Sequence, residues 1–220
     1  ARVSTYYPNF PEGELVSVHF ILGRNGGVTP RPSRDELEAY ITEMTYSYGD
    51  RLLAAAEDPR DVIDYANAFT NAYQEKYDHA EALRDIEQFQ LLMDDRQIAV
   101  RLSKHARREG AYSLKLYHRT TAIPLSARVP MLENFGFKVV NERTYTVTPK
   151  NTDDRVMHDM TIKAPGIKQD LTQIDNVIER AIKAVWYKDV ENDGFNRLTV
   201  RAAMEWDDVS IVRALGRYLK

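Results

Sequence analysis

The spacing of apolar residues changes along the chain, and this change constrains the fold more than any other feature of the sequence. Between residues 33 and 95 the apolar positions recur at helical spacing, after a Ser33–Glu36 capping-box pair. From residue 97 to residue 163 they alternate, as in strands with one buried face. The chain therefore combines a helical block with a strand-rich block.

The helical block is predicted to contain three helices. The first runs from Ser33 to about Glu57, and Asp58-Pro59 begins the second, because a cap residue before proline is typical of a helix start. The third covers residues 80–93. After the strand-rich block, two further helices are predicted at about 195–204 and 207–220.

Five strands are predicted, one of them before the helical block. Their ranges are 14–22, 97–102, 111–118, 137–148 and 155–163. A short helix is predicted over 124–135, between the third and fourth strands, and Gly136 ends it as a C′ residue. A longer amphipathic helix is predicted over 170–187, after the last strand.

Without the helical block, this order is β-α-β-β-α-β, which is that of the ferredoxin-like fold. The predicted class is α+β: an antiparallel sheet with helices on one face. Strand alternation places Ile98, Val100 and Leu102 in the core beside Leu114 and Leu116.

Charge is divided unevenly between the two blocks. Residues 33–95 carry 16 acidic and 5 basic residues, whereas residues 96–168 carry 6 acidic and 14 basic residues. Either each block is a separate solvated surface, or the two blocks face each other. The net charge of the chain is only −3, so nucleic-acid binding is not expected from composition.

Several classes of protein are excluded or disfavoured. The chain has no cysteine, which excludes disulfides and thiol chemistry. No apolar run is long enough to cross a bilayer, and no secretory signal is visible, so we expect a cytoplasmic protein without membrane contact.

The sequence contains no recognisable motif for catalysis, cofactor binding or metal binding, so no such site is predicted. The run Gly23-Arg24-Asn25-Gly26-Gly27 lacks the spacing of a dinucleotide loop and does not lead directly into a helix. The five histidines show no metal-ligand spacing, and no nucleophile-elbow motif occurs.

Four longer segments resemble one family. They are ARVPMLENFGFKVVNERTY (127–145), LKLYHR (114–119), VSVHFILGR (16–24) and the last 30 residues (191–220). They resemble the large bacterial type of NAD-specific glutamate dehydrogenase, from the first predicted strand to the last helix.

The resemblance implies that this chain is a non-catalytic, ACT-like regulatory or assembly module that precedes the dehydrogenase core. It implies a parent enzyme that uses NAD to convert glutamate to 2-oxoglutarate and ammonium, forms a homo-oligomer and has its catalytic residues beyond Lys220. We carry over no catalytic, cofactor or metal residue. The expected domains are 1–168, an ACT-like domain with a helical insertion at 33–95, and 169–220, a helical segment leading to the core.

An ACT-like module also implies an amino-acid effector, bound where the first strand meets its following loop. That position places Gly23, Arg24, Asn25 and Gly26 nearest to the ligand. Glycine lets backbone donors approach a carboxylate, and Arg24 is a charge-assisted partner for it. A stand-alone amino-acid sensor is the alternative, and a nucleic-acid binder is a third hypothesis.

Overall fold

The computed structural model describes residues 2–9, 17–23, 31–95 and 97–219, and it divides the chain into two compact units. The first unit is residues 1–46 and the second is residues 47–220. No helix in these described ranges is long and apolar enough to cross a membrane.

The first unit contains a two-stranded antiparallel sheet and a helix. Strands β1 (Arg2–Asn9) and β2 (Ser17–Gly23) pair with each other. Helix α1 (Arg34–Thr45) begins at Ser33 with the predicted capping box, in which the Glu36 backbone N–H donates to Ser33 Oγ at 3.1 Å. The predicted strand at 14–22 thus exists as β2, but its assignment to the main sheet was wrong.

The second unit begins with a series of short helices. They are α2 (Tyr48–Ala55), two 3₁₀ turns (Pro59–Asp61 and Ile63–Tyr65), α3 (Asn71–Gln74) and α4 (His79–Gln90). The single helix predicted to reach Glu57 is therefore interrupted after Thr45. Ser47 begins a second capping box with Asp50, and this local signal starts α2 as a separate helix.

The helix predicted from Asp58-Pro59 is also wrong, because only a 3₁₀ turn forms there. The Asp58 side chain accepts from the Arg60 backbone N–H at 2.9 Å, which caps the turn. A second turn follows at once, and the buried side chains of this stretch lie at Val62 and Tyr65, with Ile63 exposed. Tertiary burial of both side chains outweighs helix continuation.

Four strands form the main sheet: β3 (Ile98–Lys104), β4 (Tyr112–Arg119), β5 (Lys138–Val147) and β6 (Arg155–Lys163). Their order is β3-β4-β6-β5, and every neighbouring pair is antiparallel. Helix α5 (Leu125–Asn134) connects β4 to β5, and α6 (Asp175–Tyr187) follows β6. The α+β class and the antiparallel sheet are confirmed.

The order of elements differs from the prediction by a permutation. With β3 counted last, the order β4-α5-β5-β6-α6-β3 is β-α-β-β-α-β, the ferredoxin-like order. The sheet thus obtains its fourth strand from β3, immediately before β4, and does not use β2. The predicted domain limits at 33–95 and 168 stay a prediction.

The sheet is covered on both faces, whereas helices were predicted on one face only. One core contains Ile98, Val100, Leu102, Leu114 and Leu116, as predicted, and packs against side chains of α5 and α6. The opposite core contains side chains from the segment 52–92. Its members include Leu52, Tyr65, Phe69, Tyr73, Ile86, Phe89, Tyr117 and Met157.

The C-terminal part of the unit adds two helices beside α6. Helix α7 (Arg197–Ala202) and helix α8 (Trp206–Tyr218) follow a 3₁₀ turn at Gly194–Asn196. Gly136 has φ +89°, which confirms its predicted role as the residue that ends α5.

We expect Gly49→Ala to destabilise the second unit. A methyl group at Gly49 would lie 2.3 Å from the backbone oxygen of Ala66, so the backbone of one segment must move. Overpacking of this kind costs about 1–3 kcal/mol, measurable by urea unfolding. Gly194→Ala is the matched control, because the nearest atom to its new methyl group is 3.8 Å away. Equal stability of the two variants would contradict the close approach.

Candidate functional site

The predicted ligand loop is described only at its first residue. Gly23 is the last residue of β2, and Arg24, Asn25 and Gly26 lie outside the described residues. Binding of an effector at these four residues therefore stays a prediction.

In the main sheet, the loop that follows the first strand of the ferredoxin-like order is 120–124, between β4 and α5. Thr120 has φ +65°, in the left-handed region, and its backbone N–H donates to the Asp154 oxygen at 2.9 Å. The Thr121 N–H donates to the Arg119 oxygen at 2.8 Å, and the Ile123 N–H donates to His158 Nε2 at 3.0 Å. Three backbone N–H groups of this loop, those of Thr120, Thr121 and Ile123, thus already have hydrogen-bond acceptors within the protein.

A buried polar group supports this loop from β5, β6 and α5. The Arg128 guanidinium donates to the Ile123 oxygen and to the Glu142 carboxylate. His158 Nδ1 lies 2.9 Å from Thr144 Oγ1. Since His158 Nε2 accepts from a backbone N–H, Nδ1 carries the proton of the neutral ring and donates to Thr144.

This arrangement disfavours a charged His158. The side chain is fully buried, and burial, followed by the positive charges of Arg128 and His118, lowers the pKa of His158 to about 4. A protonated ring would also direct an N–H at the Ile123 N–H. At neutral pH this histidine is a neutral acceptor that holds the loop.

We expect the stability of the chain to fall between pH 6.5 and pH 4 because of His158. In the unfolded chain the imidazole has a pKa near 6.5, whereas in the folded chain its pKa is about 4. The unfolded state therefore binds the proton first, and stability that is complete above pH 6.5 is lost as the pH falls through 4. A pKa difference of this size corresponds to a loss of about 3 kcal/mol.

Urea unfolding at stepped pH measures this loss. His158→Gln removes the titrating group and should reduce the slope over that pH range, even if the variant is less stable. His19→Gln, at an exposed position, is the control and should keep the wild-type slope. A slope unchanged by His158→Gln would show that other groups cause the pH dependence.

A second polar group lies between α4 and the opposite face of the sheet, and we call it the ionic layer. Asp85 on α4 is fully buried, and Lys115 on β4 is 3% exposed. Lys115 Nζ donates to the two Asp85 oxygens at 2.8 and 2.7 Å, and to Glu81 at 2.7 Å. Arg101 on β3 donates to Asp85 at 3.1 Å and to Glu81 at 2.5 Å.

Two tyrosine hydroxyls complete the coordination of Asp85. Tyr73 donates to one carboxylate oxygen at 2.6 Å, and Tyr117 donates to the other at 2.7 Å. Burial, followed by the negative charge of Asp85, raises the pKa of both tyrosines. Both hydroxyls therefore remain protonated donors.

The third carboxylate of the ionic layer is Asp159 on β6, which is buried, as Asp85 is, whereas Glu81 is partly exposed. Asp159 accepts from Lys76 and Tyr77, and from Ser113 Oγ at 2.9 Å. Burial acts to raise the pKa of Asp159, but the hydrogen bonds from Lys76 and Tyr77 outweigh it and lower the pKa. Asp159 is therefore an anion at neutral pH.

The ionic layer is chemically suited to positioning one segment on another. Its three carboxylates accept from four cations, because Arg84 also donates to Glu81, at 2.9 Å, and each carboxylate is held by several donors. In the described part of the chain, no group of three or more His, Cys, Asp or Glu residues is arranged to hold a metal ion. The hydrogen bonds fix where α4 lies on β3 and β4, and where Lys76 and Tyr77, just before α4, lie on β6.

The sequence analysis did not predict these residues individually, although the sequence contains two signals for them. Asp85 lies at helical spacing with Ala82, Ile86 and Phe89, so a charge was present on the apolar stripe. The acidic and basic blocks were the second signal. In the structure Glu81 and Asp85 of the acidic block contact Arg101 and Lys115 of the basic block. Within the second unit, these residues thus follow the alternative in which the two blocks face each other.

Residues 97–174 contain the permuted ferredoxin-like sheet and α5, and they form an α+β domain whose covering helix α6 follows directly at Asp175. This range matches the family model described as "Glutamate dehydrogenase, ACT3 domain". Residues 63–92, which include α4, match "Glutamate dehydrogenase, helical motif 2". Residues 190–220, which include α7 and α8, match "Glutamate dehydrogenase, helical motif 3".

Curated relatives point to the same enzyme. The chain is 29% identical to the NAD-specific glutamate dehydrogenase of Halomonas elongata over 95% of its length, and 29% identical to that of Pseudomonas aeruginosa over 98%. It is 30% identical to that of Mycobacterium tuberculosis over 86%. The chain resembles the ACT3 and helical-motif part of NAD-specific glutamate dehydrogenase, as its sequence segments implied.

The chain spans only a small part of those relatives. It covers 14% of the length of the Halomonas and Pseudomonas proteins and 12% of the Mycobacterium protein. The similarity is thus to one small part of these relatives.

Proposed function

We propose that this chain is a non-catalytic regulatory or assembly module of an NAD-dependent glutamate dehydrogenase. The parent enzyme would convert glutamate and NAD to 2-oxoglutarate and ammonium, in the cytoplasm and as a homo-oligomer. The remainder of the parent chain, including its dehydrogenase core, is the proposed partner. An amino acid is the proposed effector.

The observation that carries this proposal is the ionic layer between the two matched segments. Helical motif 2 supplies Asp85 and Glu81, and the ACT3 domain supplies Lys115 and Arg101. Buried charges of this kind fix one arrangement of two segments at a cost in desolvation, which suits a positioning module. Their hydrogen-bonding capacity is spent on each other, which supports a role outside the chemical step.

Turnover by the purified chain tests the non-catalytic role. We expect no glutamate-dependent NADH formation, followed as absorbance, at any protein concentration tested. The full-length parent enzyme, assayed in parallel, is the positive control. Turnover by the chain alone would contradict the proposal.

The stand-alone sensor is distinguished by the gene itself. A coding sequence that continues beyond Lys220 into a dehydrogenase core supports the module, whereas a stop codon there supports the sensor. Amino-acid binding is then measured by calorimetric titration into the full-length protein and into its Arg24→Ala variant. Equal binding by both proteins would show that the loop containing Gly23, Arg24, Asn25 and Gly26 is not the site.

A further inference from the structure

A cleft of about 610 Å³ lies within the second unit, at the meeting point of α5, the end of α6, the following turn and α8. One wall is apolar and is formed by Met131, Val185, Trp186 and Ala214. Clefts of roughly 300–1,000 Å³ with an apolar wall are typical of small-molecule sites. The volume is several times that of a cavity of roughly 150 Å³ that holds benzene, so a free amino acid would leave most of it empty.

The cleft also contains a buried cation with unused hydrogen-bonding capacity. Arg213 is 4% exposed; its Nε donates to Asp193 at 2.9 Å and its Nη2 to Asn196 at 2.6 Å. Its Nη1 has a single long contact, 3.4 Å to Ser210 Oγ. Since Nη1 carries two protons, this nitrogen can donate to a further acceptor.

A second cation at the cleft is free of a carboxylate. Lys188 ends α6 in the left-handed region, with φ +64°, and lines the cleft. Within the described ranges no acidic side chain forms an ion pair with Lys188. The third cation, Arg217, is engaged by Glu191 at 2.7 Å. The carboxylates of Asp189 and Glu191 also line the cleft, and Arg213 Nε is paired with Asp193 and Glu191. The donors still available beside the apolar wall are therefore the ammonium group of Lys188 and Nη1 of Arg213.

We propose that this cleft binds an organic carboxylate that carries a large apolar body. The carboxylate would accept from Lys188 and from Nη1 of Arg213, and the apolar body would pack on Trp186, Met131 and Val185. The wall accounts for the apolar body, and the ammonium group of Lys188, which has no ion-pair partner in the described ranges, together with the donor Nη1 of Arg213, accounts for the carboxylate. This inference goes beyond the proposed function, since binding at the cleft requires no turnover and no effector at Gly23–Gly26.

Titration with 8-anilinonaphthalene-1-sulfonate, an aromatic anion that fluoresces in apolar sites, tests the proposal on the full chain. Decanoate is then added as a competitor, and decyltrimethylammonium, a cation with the same apolar chain, serves as the control. We expect decanoate to displace the dye at concentrations where the cation does not. Equal displacement by both would overturn the charge requirement.

Two variants assign the binding to the cleft. Lys188→Gln removes a charged donor and should weaken decanoate binding about tenfold. Ala214→Trp, at an exposed helix position, should fill the cleft and abolish the decanoate-sensitive signal. Lys163→Gln, an exposed lysine that does not line the cleft, is the matched control and should bind as the wild type does.

Far-UV circular dichroism shows whether each variant is folded. Decanoate affinity in folded Lys188→Gln equal to that of the wild type would overturn the assignment, as would a decanoate-sensitive signal that survives in folded Ala214→Trp. If one variant does not fold, the other decides the outcome.

Discussion

Replacing Asp85 by leucine is expected to lower the free energy of unfolding by about 3–5 kcal/mol, the usual effect of removing one partner from a buried ion pair. Asp85 is fully buried and accepts from Lys115, Arg101, Tyr73 and Tyr117. Its loss would leave Lys115 with one carboxylate, Glu81, and both hydroxyls without an acceptor. Urea unfolding followed by far-UV circular dichroism measures the change.

Glu87→Leu is the matched control for Asp85→Leu, because Glu87 is an exposed acidic residue on the same helix. We expect its effect to stay within about 0.5 kcal/mol. A loss below about 1 kcal/mol for Asp85→Leu would mean that the ionic layer is solvated, since exposed ion pairs contribute only that much.

The double variant Asp85→Leu/Lys115→Met measures the interaction energy between these two residues, apart from the interactions that each makes with other groups. Because it removes both charges together, it should be more stable than the sum of the two single losses implies. Strict additivity of the two losses would show that Asp85 and Lys115 do not interact.

Replacing Leu116 by alanine is expected to cost about 2–5 kcal/mol, because the side chain is fully buried in the core beneath α5 and α6. The lost methyl groups leave a cavity that close-packed neighbours cannot fill completely. The readout is again the free energy of unfolding in urea.

Leu125→Ala is the matched control for Leu116→Ala, because Leu125 is 57% exposed at the start of α5. It should change stability by less than about 0.5 kcal/mol. A comparably small loss for Leu116→Ala would mean that the two faces of β4 are assigned backwards.

These two predictions test opposite faces of β4. Asp85 on α4 pairs with Lys115, and Leu116 is the next residue of that strand. Leu114 and Leu116 enter the core beneath α5 and α6, whereas Lys115 and Tyr117 enter the ionic layer. The alternation was evident in the sequence, and it separated the two sets correctly. It did not reveal that the polar side of β4 is also buried.

The elements of the main sheet were predictable because their signals are local. Alternation over a few residues placed all four strands, and the strand 155–163 was predicted with the bounds that the structure has. Gly136 marked the end of α5 through its own backbone conformation. Residues close together in the sequence were therefore sufficient to predict where these strands lie and where α5 ends.

The helical block was less predictable because competing local signals occur close together. Ser47 and Asp50 form a capping box inside what periodicity alone predicts to be a continuous helix. The Asp58-Pro59 pair is as suitable for a 3₁₀ turn as for a helix, and the burial of Val62 and Tyr65 decided between them. Capping residues and helical spacing therefore predicted that this block is helical, but they did not predict that it is divided into short helices and 3₁₀ turns.

The sequence by itself determined the α+β class, the four strands of the sheet, the face of β4 that enters the first core and the resemblance to NAD-specific glutamate dehydrogenase. Only the tertiary structure decided that β3 completes the sheet, that β2 pairs with β1, and that the segment containing α4 covers the second face. The reason is physical: alternation specifies which side of a strand is apolar, but strand partners and the pairing of Asp85 with Lys115 depend on contacts between residues far apart in the chain. A charged residue has the same local pattern whether it faces water or a buried opposite charge.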